Sequence, residues 1–148
     1  MPKFDLGRYV TAQSNTYESA LEEVRAGKKR SHWMWFVFPQ VSGLGTSDMT
    51  AHYAIGSIEE AYAYLAHPIL GLRLREVTEA MNARVQSDPA LILGSIDAAK
   101  FRSSMTLFDS IAPDQTCFRF AIDKFFGGEV DEVTVFRLAS WRKLLRAT

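Results

Sequence analysis

Asp97, Lys100 and Ser104 recur at i, i+3 and i+7, which on a helix sets a carboxylate, an ammonium and a hydroxyl in one row. The row falls between two apolar sets. At about 100° per residue, Phe101, Met105, Phe108 and Ala112 share one arc, while Leu107 and Ile111 lie roughly 80–100° round from its centre. Polar groups flanked by core residues need partners, because a buried unpaired charge costs several kcal/mol. Two arrangements meet that need if the helix has this phase. Asp97 and Lys100 can pair with each other while Asp97 caps the helix start, or Lys100 and Ser104 can face a ligand cleft. In the cleft arrangement the Lys100 stem packs against apolar neighbours and its ammonium anchors a phosphate or carboxylate.

A second group of side chains lies upstream. His32, Trp33 and Trp35 precede the apolar run that stops at Pro39 and Gln40, and the chain then opens into Gly43-Leu44-Gly45-Thr46-Ser47. Tryptophans two apart on a helix point to opposed sides, so one can be core while the other lines a surface on which a base or sugar can stack; the plainer reading for either is core. His32 beside them is a base, an acid or a hydrogen-bonding orienter, or else a structural histidine. The glycine turn before Ser47 can present backbone N–H groups to an anion, although it has neither the G-x-G-x-x-G nor the P-loop form; the plainer reading is a tight turn. Glu60 shares a helix face with Tyr64 and His67 and is the other carboxylate placed for catalysis, with helix capping as its competing role. No metal site is expected. His32, His52 and His67 lack paired zinc spacing, and Cys117 is the single cysteine. Ser103, Ser104 and Thr106 sit in no G-x-S-x-G elbow, so a hydrolase triad has no support.

These residues have to be positioned by a chain of 148 residues, enough for one domain spanning residues 1–148 with a real core. Apolar residues make up 47% and charged residues 23%, as in ordinary globular proteins. Lys plus Arg and Asp plus Glu number 17 each, so no overall field favours a nucleic-acid partner. Lys28-Lys29-Arg30 is the one concentrated charge, read as a solvated loop or a local anion contact. The lone Cys117 leaves no internal disulfide and fits a reducing compartment. Met1-Pro2-Lys3-Phe4-Asp5 has no apolar signal core, and no later run reaches bilayer length, so a cytoplasmic protein without membrane association is expected. Nothing implies a cofactor.

The periodicity predicts an all-α, multihelical domain. Leu6, Tyr9 and Val10 mark a first short helix. Asn15 or Thr16 caps a second, with Tyr17, Ala20, Leu21 and Val24 on one face and Gly27 after its end. Ser31 is placed to cap a turn from His32 to Val37. Ser57 to Glu60 has the form of a capping box opening a helix that runs to His67 and is closed by Pro68. Leu70, Leu74, Val77 and Met81 give a longer helix, and Asp88-Pro89 opens a short turn to Leu93. Asp97 to Ala112 follows, then a helix through Phe118, Ile122 and Phe125 to Gly127-Gly128. Asp131 caps the last, through Val135, Leu138, Trp141 and Leu145, against the β-propensity of Val133 to Phe136.

The string Ser31 to Gln40, followed by Gly43-Leu44-Gly45 and Ser47, resembles the domain of unknown function 1810 family. So do Glu60-Ala61 with Tyr64-Leu65, His67-Pro68-x-Leu70-Gly71-x-Arg73-Leu74, Asp97-x-x-Lys100-x-x-Ser103 to Phe108, and the early Arg8-x-x-x-Ala12-Gln13. The resemblance spans nearly the whole chain and implies a small, mainly helical bacterial protein with no established activity. Members often carry the label calpastatin. Calpastatin's inhibitory segments are disordered, whereas this chain has 12% aromatic residues and a readable core, so that label is not taken as a function. A weaker similarity, in the order of short patterns at Ser57–Glu60, Leu70–Leu74 and Asp97–Met105, is to the NADAR family, which processes ADP-ribosyl and related N-glycosidic compounds.

Two functions follow as expectations. The first is a cleft built from His32, Trp33, Trp35, Gln40, Gly43, Gly45, Ser47, Lys100 and Ser104 that takes a small anionic, nucleotide-like ligand. If it also cleaves an N-glycosidic bond of an ADP-ribosyl-type compound, Glu60 or Asp97 would stabilise the positive charge gathering on the ribose. The second is a non-catalytic module that offers its aromatic 32–38 stretch to a protein partner. A cleft holding Lys100 next to His32 favours the first. A flat aromatic surface over a salt-bridged row favours the second.

Overall fold

The structure, a computed structural model, describes residues 4–147, so Met1, Pro2 and Lys3 of the amino-terminal stretch lie outside it, as does Thr148. Among the described residues there are ten α-helices and no strand beyond one isolated bridge between Val41 and Ile55. The fold is all-α. The helices are α1 (Gly7–Ser14), α2 (Tyr17–Arg25), α3 (Met34–Val37), α4 (Asp48–Tyr53), α5 (Ile58–Ala66), α6 (Leu70–Asn82), α7 (Pro89–Leu93), α8 (Ser95–Ile111), α9 (Thr116–Phe126) and α10 (Glu132–Ala147). None is long and apolar enough to cross a membrane.

The amphipathic faces become the core. Tyr17, Ala20, Leu21 and Val24 of α2 and Leu70, Leu74, Val77 and Met81 of α6 are all buried, and α2 packs on α6. In the middle runs α8, against α3, α5, α7, α9 and α10. Surrounded in this way, it buries Ala98, Phe101, every residue from Ser103 to Phe108, and Ile111. Two of its small polar residues bond back to the preceding turn. Ser103 Oγ donates to the Ala99 carbonyl at 3.2 Å, and Thr106 Oγ1 donates to that of Arg102 at 2.8 Å.

Helix starts follow the capping residues in most places. Ser57 Oγ accepts from Glu60 N at 3.1 Å, while the Glu60 carboxylate reaches back to Gly56 N at 2.7 Å, one residue before the expected donor. Asp88 Oδ1 accepts from Ala90 N at 3.0 Å with Pro89 opening the helix, and Asp131 Oδ2 accepts from Thr134 N at 3.1 Å. That cap, together with the buried Leu138, makes Val133 to Phe136 helical despite their β-propensity. Three expectations are corrected. Thr16 stands at the start of α2 but its side chain makes no capping bond there. Ser31 does not cap α3, because its hydroxyl and N–H are both turned to Glu23. Helix α8 begins at Ser95, so Asp97 lies within its first turn, where a negative charge suits the helix dipole, and not at the cap.

The connection from α3 to α5 carries the one helix without a sequence signal, α4, none of whose residues is buried. This segment leaves and returns at a single point: Ser42 N donates to Ile55 O at 2.9 Å and Ile55 N to Gln40 O at 2.8 Å. Arg137 Nε holds the Ser42 carbonyl at 3.0 Å, and at the far end Arg8 holds those of His52 at 2.8 Å and Ala54 at 3.0 Å. Gly43 has φ +91°, a backbone conformation that favours glycine; a Cβ there would also meet the Arg137 guanidinium at 2.0 Å, the far end of a flexible side chain that can shift.

Candidate functional site

Asp97 sits between two lysines. Lys29 Nζ lies 2.9 Å from one of its oxygens and Lys100 Nζ 3.4 Å from the other. Each ammonium also stands 5.1 Å from the centre of a tryptophan ring, Lys29 over Trp33 and Lys100 over Trp35. The two halves differ in exposure. The Lys29 side chain is 9% exposed and that of Lys100 22%. Trp33 is wholly buried and Trp35 half-buried, the opposed pair that their spacing predicts.

Trp33 is held by a carboxylate as well as by packing. Its Nε1 donates to Glu23 Oε1 at 2.9 Å, and the same carboxylate accepts from Arg30 N at 2.7 Å, Ser31 N at 3.0 Å and Ser31 Oγ at 2.5 Å. Burial would raise the Glu23 carboxyl, but these hydrogen bonds outweigh it and hold the group at about 2, below its ordinary 4.5. A carboxylate depressed in the folded state contributes stability that is complete above the unfolded value and lost as pH falls through the folded one. The native chain is therefore expected to lose stability between about pH 4.5 and about pH 2, and Glu23→Gln to flatten that part of the profile, read as denaturation midpoints followed by circular dichroism. Equal slopes in the two proteins would contradict the assignment.

Two clefts meet at Lys100. The first, about 330 Å³, lies between the start of α8 and the segment before α3 and is lined by Lys29, His32, Trp33, Trp35, Asp97 and Lys100. The second, about 310 Å³, opens on the other side of Lys100 toward Gln40, Gly45, Thr50, Ser103 and Asp131. Ile96, itself exposed, borders both. Trp35 and Gln40 continue into a tight space against Thr50 and Tyr53. A wider depression of about 730 Å³ lies elsewhere, along α6 and Arg25; its arginines and glutamates are mixed, and none of the residues singled out from sequence lines it.

His32, Trp33, Trp35, Gln40, Gly45, Asp97 and Lys100 are thus brought to adjoining clefts, and four sequence-derived residues are not. Ser104 is fully buried, its hydroxyl has no partner among the described residues, and it lines neither cleft. Ser47 caps α4, accepting from Thr50 N at 3.1 Å. Gly43 borders a separate groove against Phe136 and Arg137. Glu60 is buried in another network, 3.1 Å from Arg8 and bonded to Gly56 N, so it stands apart from Asp97 and the two do not form a carboxylate pair. Its face of α5 is not solvent either, since Tyr64 is completely buried.

Sequence reasoning passed over three residues. Lys29 lay within a basic run read as a solvated loop or a local anion contact and was not singled out; its neighbours Lys28 and Arg30 are exposed, but Lys29 turns inward to Asp97. Asp131 carried only its capping role. Arg8, noticed only within a family motif, binds the carbonyls of His52 and Ala54, the Glu60 carboxylate and, at 3.0 Å, the Tyr9 hydroxyl. Gln13 of the same motif donates to Phe36 O at 2.7 Å and Tyr64 Oη at 3.1 Å, fixing from behind the backbone that carries Trp35. Burial holds the Tyr9 and Tyr64 hydroxyls protonated, well above their ordinary value, which keeps them available as donors. Cys117, half-buried, is pushed up to about 11 by burial and is a poor nucleophile. Among the described residues no group of three or more His, Cys, Asp or Glu side chains could hold a metal ion.

The fold and these clefts define an all-helical protein with a lysine–aspartate–lysine row beside one cleft, whose Lys100 also borders a second. The model of the family described as "Protein of unknown function (DUF1810)" matches residues 3–138, and the chain belongs to that family. It is also similar to the crystal structure of the conserved hypothetical protein Rv1873 from Mycobacterium tuberculosis, with 47% identity and a TM-score of 0.91 over 93% of this chain and 99% of that one. A comparison with curated proteins gives no match.

Proposed function

We propose that this chain, acting as one domain, binds a small anionic ligand bearing a flat ring, with Lys100 as the anchor for the anion and Trp35 as the stacking surface. The observation that carries this reading is the division of labour around Asp97. Lys29, less exposed and closer at 2.9 Å, neutralises the carboxylate by itself. Lys100, at 3.4 Å and facing two clefts, can turn to a ligand without leaving Asp97 unpaired. Two lysines against one carboxylate also leave a local positive charge in a chain of formal net charge zero. The aromatic stretch gives the alternative, a protein-interaction face, less support: Trp33, Phe36, Val37 and Phe38 are all buried.

Cleavage of an N-glycosidic bond in an ADP-ribosyl-type compound would fall to Asp97, the carboxylate that lines a cleft, although its pairing with Lys29 and Lys100 leaves little net negative charge to set against a cationic ribose. Glu60, occupied by Arg8 and Gly56, has no part in it. Incubation with such compounds and chromatography for the released base tests the bond-breaking step separately from binding.

The binding test is Lys100→Met in a thermal-shift panel with AMP and ADP-ribose. A partly exposed ion pair contributes up to about 1 kcal/mol, so the variant is expected to melt within a few degrees of the native protein. Ligand at a hundredfold excess over Kd should stabilise the native protein by about 2.7 kcal/mol, and that shift should vanish in the variant. A shift that survives in Lys100→Met, or no shift in the native protein with either nucleotide, would overturn the reading.

A further inference from the structure

We infer that the second cleft is a subsite for a polyhydroxy ring, and that the ligand is a nucleotide whose diphosphate carries a second sugar-like group. This rests on the reading that Lys100 holds an anion and goes on to say what flanks it.

The two clefts differ in chemistry on either side of one cation. Toward α3 the wall is aromatic, with Trp35 and His32 beside Lys100. Toward α10 it carries no aromatic residue; Gln40, Ser103 and Asp131 supply polar atoms while Leu44, Ile96 and Val133 supply apolar surface. A sugar ring wants that mixture, with hydroxyls that donate and accept round its edge and C–H faces that pack on aliphatic groups. Asp131 is the distinctive member. Its Oδ2 is taken up by Thr134 N at 3.1 Å, by the Thr134 hydroxyl and by Ser103 Oγ at 3.2 Å, whereas Oδ1 carries no hydrogen bond among the described residues. The cap clamps the carboxylate by Oδ2 and leaves Oδ1 accessible, an acceptor to which water or a ligand hydroxyl can donate. Hydroxyls satisfy it, and a second anion in this lobe would be repelled by it.

The order of the parts then selects the ligand class. In a nucleoside monophosphate the sugar lies between base and phosphate, so an anion at Lys100 would leave the polyol lobe empty. Where a diphosphate joins a nucleoside to a second polyhydroxy group, the negative charge is in the middle. That is the sequence of surfaces here: aromatic cleft, Lys100, polyol cleft. At about 310 Å³ the second lobe is at the small end of ligand pockets, near 300 Å³, which suits one ring.

Isothermal titration with AMP, ribose 5-phosphate and ADP-ribose tests this. ADP-ribose is expected to bind at least about tenfold more tightly than either of the others. Two variants should collapse that preference toward equality. Asp131→Asn keeps a good capping residue while removing the charged acceptor. Val133→Trp fills the lobe from an exposed position that takes no part in the cap, so it decides the matter if Asp131→Asn is unstable. AMP binding with no gain from the second sugar, or a preference that persists in Val133→Trp, overturns the polyol subsite and leaves the Lys100 anchor standing. No binding of any of the three overturns both.

Discussion

Arg8→Met is expected to destabilise the protein by about 3–5 kcal/mol, because it strips the cationic partner from a buried carboxylate and removes the donor to three carbonyls, one of them part-buried. Arg8 and Glu60 have side chains only 14% and 8% exposed, and they meet at 3.1 Å. The same guanidinium bonds the carbonyls of His52 and Ala54, so the variant loses the clamp on the segment between α4 and α5 as well. For a chain of this size the melting temperature should fall by roughly 10 °C or more, measured by circular dichroism. Adding Glu60→Gln to Arg8→Met should recover part of the loss, since it removes the unpaired charge. A single variant melting within a degree of the native protein would show that the network is incidental. Lack of recovery in the double variant would show that the carbonyl contacts, and not Glu60, dominate.

The second large effect comes from a single methyl group. Replacing glycine by alanine inside a helix ordinarily stabilises by about 1 kcal/mol. At Gly71, near the start of α6, the added Cβ would stand 2.0 Å from the backbone oxygen of Leu65 and 2.9 Å from its carbonyl carbon. Neither atom can swing aside as a side chain would, so the α5–α6 corner must open. Gly71→Ala is therefore expected to reverse the usual sign and to cost about 3 kcal/mol, the upper end of overpacking effects. Urea denaturation gives the value directly, and a variant as stable as the native protein would mean that the corner is looser than the contact implies. Gly71 belongs to the Leu70-Gly71-x-Arg73 motif, which this contact explains as a packing requirement.

What could be read from the sequence was whatever repeats along a single helix. The faces of α2 and α6 follow from spacing alone, because each presents one apolar stripe to one side. The same rule misplaces Ser104. Helix α8 is enclosed nearly all round, and a gap between two apolar sets then opens onto another neighbour instead of a cleft. The spacing of Trp33 and Trp35 said only that the two rings point apart; the buried one is Trp33, whose indole N–H meets the Glu23 carboxylate of another helix. Lys29 illustrates the general obstacle. Flanked by Lys28 and Arg30 it looks solvated, and only the approach of α8 brings Asp97 within reach of its ammonium. Helix α4 has no apolar face to announce it; its carboxyl end is held by Arg8 and by the chain crossing at Ile55, contacts that local pattern cannot express.

That crossing gives the molecule a seam. Because Ser42 and Ile55 join at the base and Arg137 and Arg8 tie down the flanks, the residues between them form a cassette whose interior carries little of the core. Doubling the length of such an excursion adds only about 0.6 kcal/mol of closure entropy. Gly45 and Thr50 reach the second cleft from this cassette, while the Lys29–Asp97–Lys100 row is built entirely outside it. If the clefts take the ligand proposed above, recognition at one lobe can be rewritten by exchanging a loop, with the Lys29–Asp97–Lys100 row and the helical scaffold left as they are.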